Sequence, residues 1–282
     1  MNVRSRNPLL LLILALPVGL FGCVQPAEPE PTAAATEAAA VVTLPEPTLE
    51  VAAAHSEVHW TYEGAEGPGH WADLAEGNEA CGSGKAQSPI DLAGYAGEDL
   101  ADITFSYLPT KTNVVNNGHT IQFNYDEGNT IEIDGTTYNL LQMHFHAPSE
   151  HSVDGKLADA EMHLVHKSAD GGLAVVGVLI NKGAENATFN GIWSHLPAEV
   201  EEVGIDAGLV MADELLPAVR ATYRYDGSLT TPPCTEGVKW NVMTTPIEMS
   251  EAQLAAFSEI VDPNNRPVQP LGDRALVEDT TP

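Results

Sequence analysis

Positive charge is scarce in this 282-residue chain: 12 Lys and Arg stand against 40 Asp and Glu, a formal net charge of −28. A surface so negative repels nucleic acid and anionic lipid, which removes both as binding partners. The acids are scattered rather than clustered, so they read as a solubilising surface and not as a cation store. Cysteine is sparse as well: there are three, and none forms a Cys-x-x-Cys pair, which excludes a thiolate metal ribbon. No apolar run reaches the ~20 residues that a membrane-spanning helix needs. The one run present, Leu9 to Leu20, is broken by Pro17 and Gly19. From about His55 onward no Gly/Ser linker, charge block or internal repeat divides the chain, so one large domain is the simplest organisation.

What stands at the N-terminus reads as targeting. Arg4 and Arg6 precede the short apolar run, which ends in Leu20-Phe21-Gly22-Cys23. That pattern resembles a lipoprotein signal (residues 1–22), after which Cys23 becomes the lipid-modified N-terminus; ordinary cleavage nearby is the alternative. Residues 23–54 are rich in Pro, Ala, Thr and Glu and carry no aromatic residue. Such a segment buries too little apolar surface to offset its ordering entropy and is expected to be a disordered tether. The folded domain is then residues 55–282, exported to the periplasm or cell surface and touching a membrane only through the lipid. With Cys23 set aside, Cys81 and Cys234 form a candidate disulfide, consistent with an oxidising compartment. Closing so long a loop contributes roughly 4–5 kcal/mol, less any native strain.

The body of the chain is patterned for strands and turns. Thr130-Ile131-Glu132-Ile133 alternates polar and apolar, and Asp134-Gly135 is a two-residue hairpin signal. Further strands are expected over Ile103 to Tyr107, Thr120 to Tyr125, Thr137 to His146, Ala160 to Lys167, Leu173 to Asn181 and Trp240 to Thr244. Ser250 and Gln253 make a capping box for a helix of about ten residues ending before Pro263, and Pro197 to Val203 is a weaker helix candidate. The fold class is therefore mixed and predominantly β, a large, mainly antiparallel sheet with a few short peripheral helices.

Gln142-Met143-His144-Phe145-His146 carries the most chemical information. Side chains alternate along a strand, so His144 and His146 share a face, about 7 Å apart. A His-x-His pair alone is weak evidence for a metal. Glu161-Met162-His163-Leu164-Val165-His166 adds a second strand with Glu161, His163 and Val165 on one face. Paired antiparallel with the first, it lets His163 complete a three-imidazole site. Three protein nitrogens favour Zn2+ and leave a fourth position open, the arrangement of a catalytic site. Gln142 precedes His144 by two residues and Glu161 precedes His163 by two, so each is placed to anchor its neighbour's second ring nitrogen. A cross-strand hydrogen bond unrelated to metal is the alternative for both.

These stretches, together with Gln87-Ser88-Pro89-Ile90, Asn116-Asn117-Gly118-His119, Ser149-Glu150-His151 and Ser228-Leu229-Thr230-Thr231-Pro232-Pro233, resemble the alpha class of carbonic anhydrases in order from about Trp60 to Arg274. The resemblance implies the twisted-sheet fold of that class and reversible hydration of carbon dioxide to bicarbonate and a proton by a zinc-bound hydroxide. It further implies that Thr230 orients the hydroxide while donating its own proton to Glu150. His119 would carry the product proton outward. Val165, Val175, Leu229 and Trp240 match the apolar substrate pocket; Tyr62, Asn117 and Gln122 match positions that order water, Gln122 standing where animal members commonly have Asn. Cys81 and Cys234 match a disulfide of exported members. Read without the resemblance, His119 and Thr230 are turn residues, Glu150 a loop acid and the pocket residues core packing. His151 and His166 read as core or supporting residues, and His55, His59, His70 and His195 carry no motif. A non-catalytic binding module, a zinc scavenger and a zinc esterase are the rival functions; the assembly is expected to be a monomer or homodimer.

Overall fold

A computed structural model describes residues 59–194, 196–200 and 209–280. All fall within the compact unit Ala54–Pro282. The leader, Cys23, the tether, His55 and His195 lie outside the described residues.

Eight strands organise the site: β1 (Thr110–Asn116), β2 (Ile121–Tyr125), β3 (Thr130–Ile133), β4 (Thr136–His146), β5 (Ala160–Ser168), β6 (Leu173–Lys182), β7 (Thr222–Ser228) and β8 (Glu236–Met243). They form most of a thirteen-stranded sheet in which the order runs β1-β2-β4-β5-β6-β8-β7, with shorter strands continuing both edges. Neighbours are antiparallel except where β6 meets β8 and the short strand Ile247–Met249, and at the Val277–Asp279 edge, which pairs in parallel with Ala96–Glu98. The sheet is thus mixed rather than uniformly antiparallel.

The expected hairpin forms at Asp134-Gly135, where φ is 50° and 76°. Both angles lie in the left-handed region that a two-residue turn of this twist requires. The central strand β6 reads Leu-Ala-Val-Val-Gly-Val-Leu-Ile with no polar alternation because both of its faces are covered. Ala174, Val176, Val178 and Ile180 enter one core, whereas Val175 and Leu179 enter the other. Met143, Phe145, Met162 and Leu164 join the first core. Their strand neighbours His144, His146, Glu161, His163 and Val165 are thereby presented to the opposite face.

Some expected boundaries shift. The last expected strand starts at Glu236, four residues before Trp240, because its first residues are exposed and polar and carry no periodic signal. The capping box is present, with Ser250 Oγ accepting from Gln253 N at 3.2 Å and Gln253 Oε1 accepting from Ser250 N at 3.0 Å. Its helix, α1 (Glu251–Ser258), is shorter than expected. Residues 197–200 are not helical, and the rest of that candidate lies outside the described residues. Cys81 and Cys234 are bridged, their Cα atoms 5.0 Å apart, tying the helical turn Ala80–Ser83 to the residue after Pro233.

One buried imidazole sits away from the site. The pairing of β4 with β5 shifts by one residue between Val165 and His166, leaving Leu141 as an extra residue on β4, and Leu141 is 42% exposed. His166 lies in the first core with a ring nitrogen 2.8 Å from the Tyr107 hydroxyl. Burial lowers its pKa to about 3. The unfolded chain therefore takes up a proton near pH 6.5 that the folded chain refuses until about pH 3. Across that window stability falls as pH falls, by up to about 1.4 kcal/mol per pH unit from this group alone. His166→Gln is expected to give a shallower acid limb when denaturation is followed against pH. An unchanged slope refutes the assignment.

Candidate metal centre

Antiparallel pairing of β4 and β5 sets His163 opposite His144 and Glu161 opposite His146. Strand alternation then turns all three imidazoles to one face, with ring centroids 4.7 to 5.2 Å apart. One ligating nitrogen from each lies within 4.8 Å of the others. The remaining nitrogen of each ring is anchored. Nδ1 of His144 is 2.7 Å from Gln142 Oε1, Nδ1 of His146 is 2.7 Å from the Asn264 carbonyl oxygen, and Nε2 of His163 is 2.8 Å from Glu161 Oε1. This leaves Nε2 of His146 and Nδ1 of His163 directed at Glu150 Oε2, at 3.5 and 3.9 Å. His146 Nε2 and Glu150 Oε2 are buried without a hydrogen-bond partner among the described residues. Orphaned polar atoms of this kind are rare unless a ligand or ion completes them.

Burial keeps these histidines neutral, which is the state that binds a metal. It is the main cause of the lowered pKa of His144, reinforced by the neighbouring His146 and His163. His146 is lowered to about 4 by burial against the opposing pull of the Asn264 carbonyl. His163 is also lowered by burial, which outweighs the attraction of Glu161. The donor set fits a metal ion: three neutral imidazoles, each oriented from behind, facing a common point.

A second group, His151, Glu161 and His163, is also close. Its contacts are hydrogen bonds of 2.7 and 2.8 Å to one carboxylate oxygen, shorter than the roughly 3.3 Å between ligands on a tetrahedral ion with ~2.0 Å bonds. Glu161 is a buried anchor. Its Oε1 accepts from His151 and His163, and its Oε2 accepts from the amides of Glu150 and His151 at 2.9 and 2.8 Å. Burial works to raise this carboxyl, but His151 and His163, by charge and hydrogen bond, outweigh it and hold the group well below the usual range. His151 continues the chain to the Tyr225 hydroxyl at 2.7 Å, which reaches Ser88 Oγ at 2.9 Å.

Glu150 and Thr230 are both buried and close together. Glu150 Oε1 accepts from the Arg266 amide at 2.9 Å. Burial pushes its carboxyl up to about 7, against the lowering effects of His163, that amide and the Thr230 hydroxyl. Val175 and Trp240 are buried in the second core with Val165 and Leu229 packed against it. The Trp240 ring lies 4.9 Å from that of His163, so apolar surface borders the three imidazoles.

The remaining expected residues are spread around the rim. Gln122 is the register partner of His144 and donates through Nε2 to Asn124 Oδ1 at 2.7 Å. Tyr62 has its phenol pKa pushed well up by burial and by the Glu150 charge. Asn117 Oδ1 accepts from the amides of His119 and Thr120, so its carbonyl is committed to the turn. His119 is half-buried and stacks on Trp60 at 3.7 Å with the planes 4° apart. It lines a surface cavity of about 480 Å3 with Trp60 and Tyr62, not with the three imidazoles. Asn264, Arg266 and Tyr225 were given no role by the sequence. Asn264 and Arg266 sit in the polar, Pro-flanked run Pro263-Asn264-Asn265-Arg266-Pro267, whose pattern signals only a loop.

Residues 66–280 match the family model of eukaryotic-type carbonic anhydrases. Carbonic anhydrase of Nostoc sp. is 44% identical over 234 residues, covering 78% of this chain and 86% of that protein. Carbonic anhydrase of Klebsiella pneumoniae is 44% identical over 223 residues, covering 78% and 91%. Among solved structures, the alpha-carbonic anhydrase of Thermovibrio ammonificans in complex with the inhibitor sulfanilamide superposes with a TM-score of 0.77 at 43% identity, covering 78% of this chain and 99% of that one. Sequence and fold agree over most of the described domain, and the chain belongs to the alpha carbonic anhydrases, a family of enzymes.

Proposed function

We propose that the protein is a zinc-dependent catalyst of the reversible hydration of carbon dioxide, with the ion held by His144, His146 and His163. The observation that carries this reading is the convergence of three neutral, individually anchored imidazoles, with His146 Nε2 buried and without a partner among the described residues. Zinc bound there would supply Lewis acidity that ionises water near neutral pH, a property for which carbonic anhydrases are themselves the standard example.

The protein supplies orientation, a dry pocket and an exit for the proton. Thr230 donates its hydroxyl proton to ionised Glu150, so its lone pairs are left to accept from the attacking oxygen. The Arg266 amide and the Glu161 contacts hold Glu150 in place for that task. Val165, Val175, Leu229 and Trp240 give uncharged carbon dioxide an apolar wall against which water competes poorly. His119 is an imidazole, the side chain suited to take a proton from an intervening water chain and release it to buffer around neutral pH. His119→Ala is expected to slow turnover in dilute buffer, with partial recovery on adding imidazole. Turnover that ignores buffer in both proteins counts against the shuttle.

Stopped-flow hydration of carbon dioxide by zinc-loaded protein tests the whole reading. Activity that a chelator removes and zinc restores is expected, and a zinc-loaded protein without hydration activity overturns it. The Cys81–Cys234 bridge supports export into an oxidising compartment. Attachment through Cys23 remains part of this proposal and is tested by the mass of the mature N-terminus.

A further inference from the structure

The two functional ends of the site, the imidazole centre and His119, belong to different segments, and one residue is bonded to both. Asn264 is 1% exposed. Its carbonyl oxygen accepts from His146 Nδ1 at 2.7 Å, and its amide donates to the Ala147 carbonyl at 3.3 Å. Its side chain does something separate. Oδ1 accepts from the Ala147 amide at 2.8 Å, while Nδ2 donates to the Phe145 carbonyl at 2.9 Å and to the His119 carbonyl at 3.0 Å. Three of the four carboxamide hydrogen-bonding directions are thus used, two on the end of β4 around His146 and one on the turn that carries His119.

We propose that the Asn264 carboxamide is a positioning residue that fixes the His119 turn relative to the metal centre, so that the imidazole of His119 is held within reach of its proton source. This rests on the shuttle reading given above. Thr120 also ties the turn to that strand end, its Oγ1 donating to the same Phe145 carbonyl at 2.6 Å and accepting from the Phe145 amide at 3.3 Å, and Asn117 caps the turn internally. Neither holds the backbone of His119 to the 264 loop. Proton transfer is steep in donor–acceptor placement, and about 1 Å of misplacement can cost on the order of 100-fold. A single lost tether can therefore act on proton export without touching the three imidazoles.

Asn264→Asp is the informative change. It keeps size and the acceptor for Ala147, but sets a carboxylate oxygen against the two carbonyls that Nδ2 now serves. Turnover in dilute buffer is expected to fall roughly 10- to 100-fold and to recover with imidazole. The loss should fall on kcat more heavily than on kcat/KM, with zinc content read beside both because the Asn264 carbonyl also anchors His146. The ring protons of His119, shifted upfield by the Trp60 stack, should move in the NMR spectrum of the metal-free variant as well. If Asn264→Asp folds poorly, Asn264→Ser, too short to reach His119, carries the same test. Loss of kcat and kcat/KM together with no imidazole effect would mean a merely structural role and overturn the proposal, as would an unchanged His119 spectrum with unchanged turnover. If His119→Ala itself shows no buffer dependence, the failure lies in the shuttle reading, whereas a buffer-sensitive His119→Ala beside an insensitive Asn264→Asp refutes the positioning role alone.

Discussion

Replacing His163 with alanine is expected to reduce carbon dioxide hydration to the buffer background. His163 is held from behind by Glu161 and faces Glu150 across 3.9 Å, so its loss would remove one of the three proposed ligands and leave a void beside a buried acid. Two imidazoles remain, and two ligands do not define a tetrahedral site. Loss of even an outer partner costs about 10- to 100-fold in metal affinity, and loss of a ligand must cost more. Glu161 Oε1 would also keep only His151, a penalty of about 1–3 kcal/mol for its vacated position. Zinc content after dialysis, read beside stopped-flow rates and far-ultraviolet circular dichroism, separates metal loss from unfolding. A folded His163→Ala protein that retains one zinc per chain and measurable turnover would show that the metal is held elsewhere.

How much of this was legible before any fold was seen follows from the range over which each contact acts. Strand parity is local, so His144, His146 and His163 could be assigned faces from sequence alone. Gln142 and Glu161 were legible for the same reason, since each lies two residues from the imidazole it anchors. Asn264 is 118 residues from His146 and 145 from His119, and no periodicity links positions so far apart. Arg266 was hidden similarly: its guanidinium reaches Gln87 Oε1, Ser88 O and Cys81 O, across 178 to 185 residues of chain. That cation is fully buried over the Trp71 ring and ties the disulfide-bearing turn to the loop that holds Glu150. In sequence it was one Arg between two prolines. Among the strands, β6 was readable as a continuous apolar run, but its parallel pairing with β8 was not, because a buried strand looks the same to either neighbour. His166 reads in sequence as a core or supporting residue, and its Tyr107 partner only the fold could supply.

Thr230→Ala and Glu150→Gln should each lower turnover by about 100-fold while zinc stays bound, on the scale of removing one preorganised polar contact from a dry site. The two substitutions fail for different reasons. Alanine would remove the hydroxyl proposed to accept from the attacking oxygen, leaving that oxygen free to rotate. Glutamine keeps the shape but reverses polarity at one of two positions. The Arg266 amide, at 2.9 Å, claims the carboxamide oxygen, because an N–H donor facing an NH2 group is repelled. The NH2 then faces Thr230, which must turn its lone pair toward Glu150's position and its proton toward the substrate. The hydroxyl has become a donor where an acceptor was needed. Thr230→Ser, which retains the hydroxyl, is expected to keep most of the activity, and the double variant Thr230→Ala with Glu150→Gln should be little worse than either single one, since both break the same contact. Additive losses in the double variant, or zinc released by either single one, would separate Glu150 from Thr230 and return it to a purely structural acid beside His146 and His163.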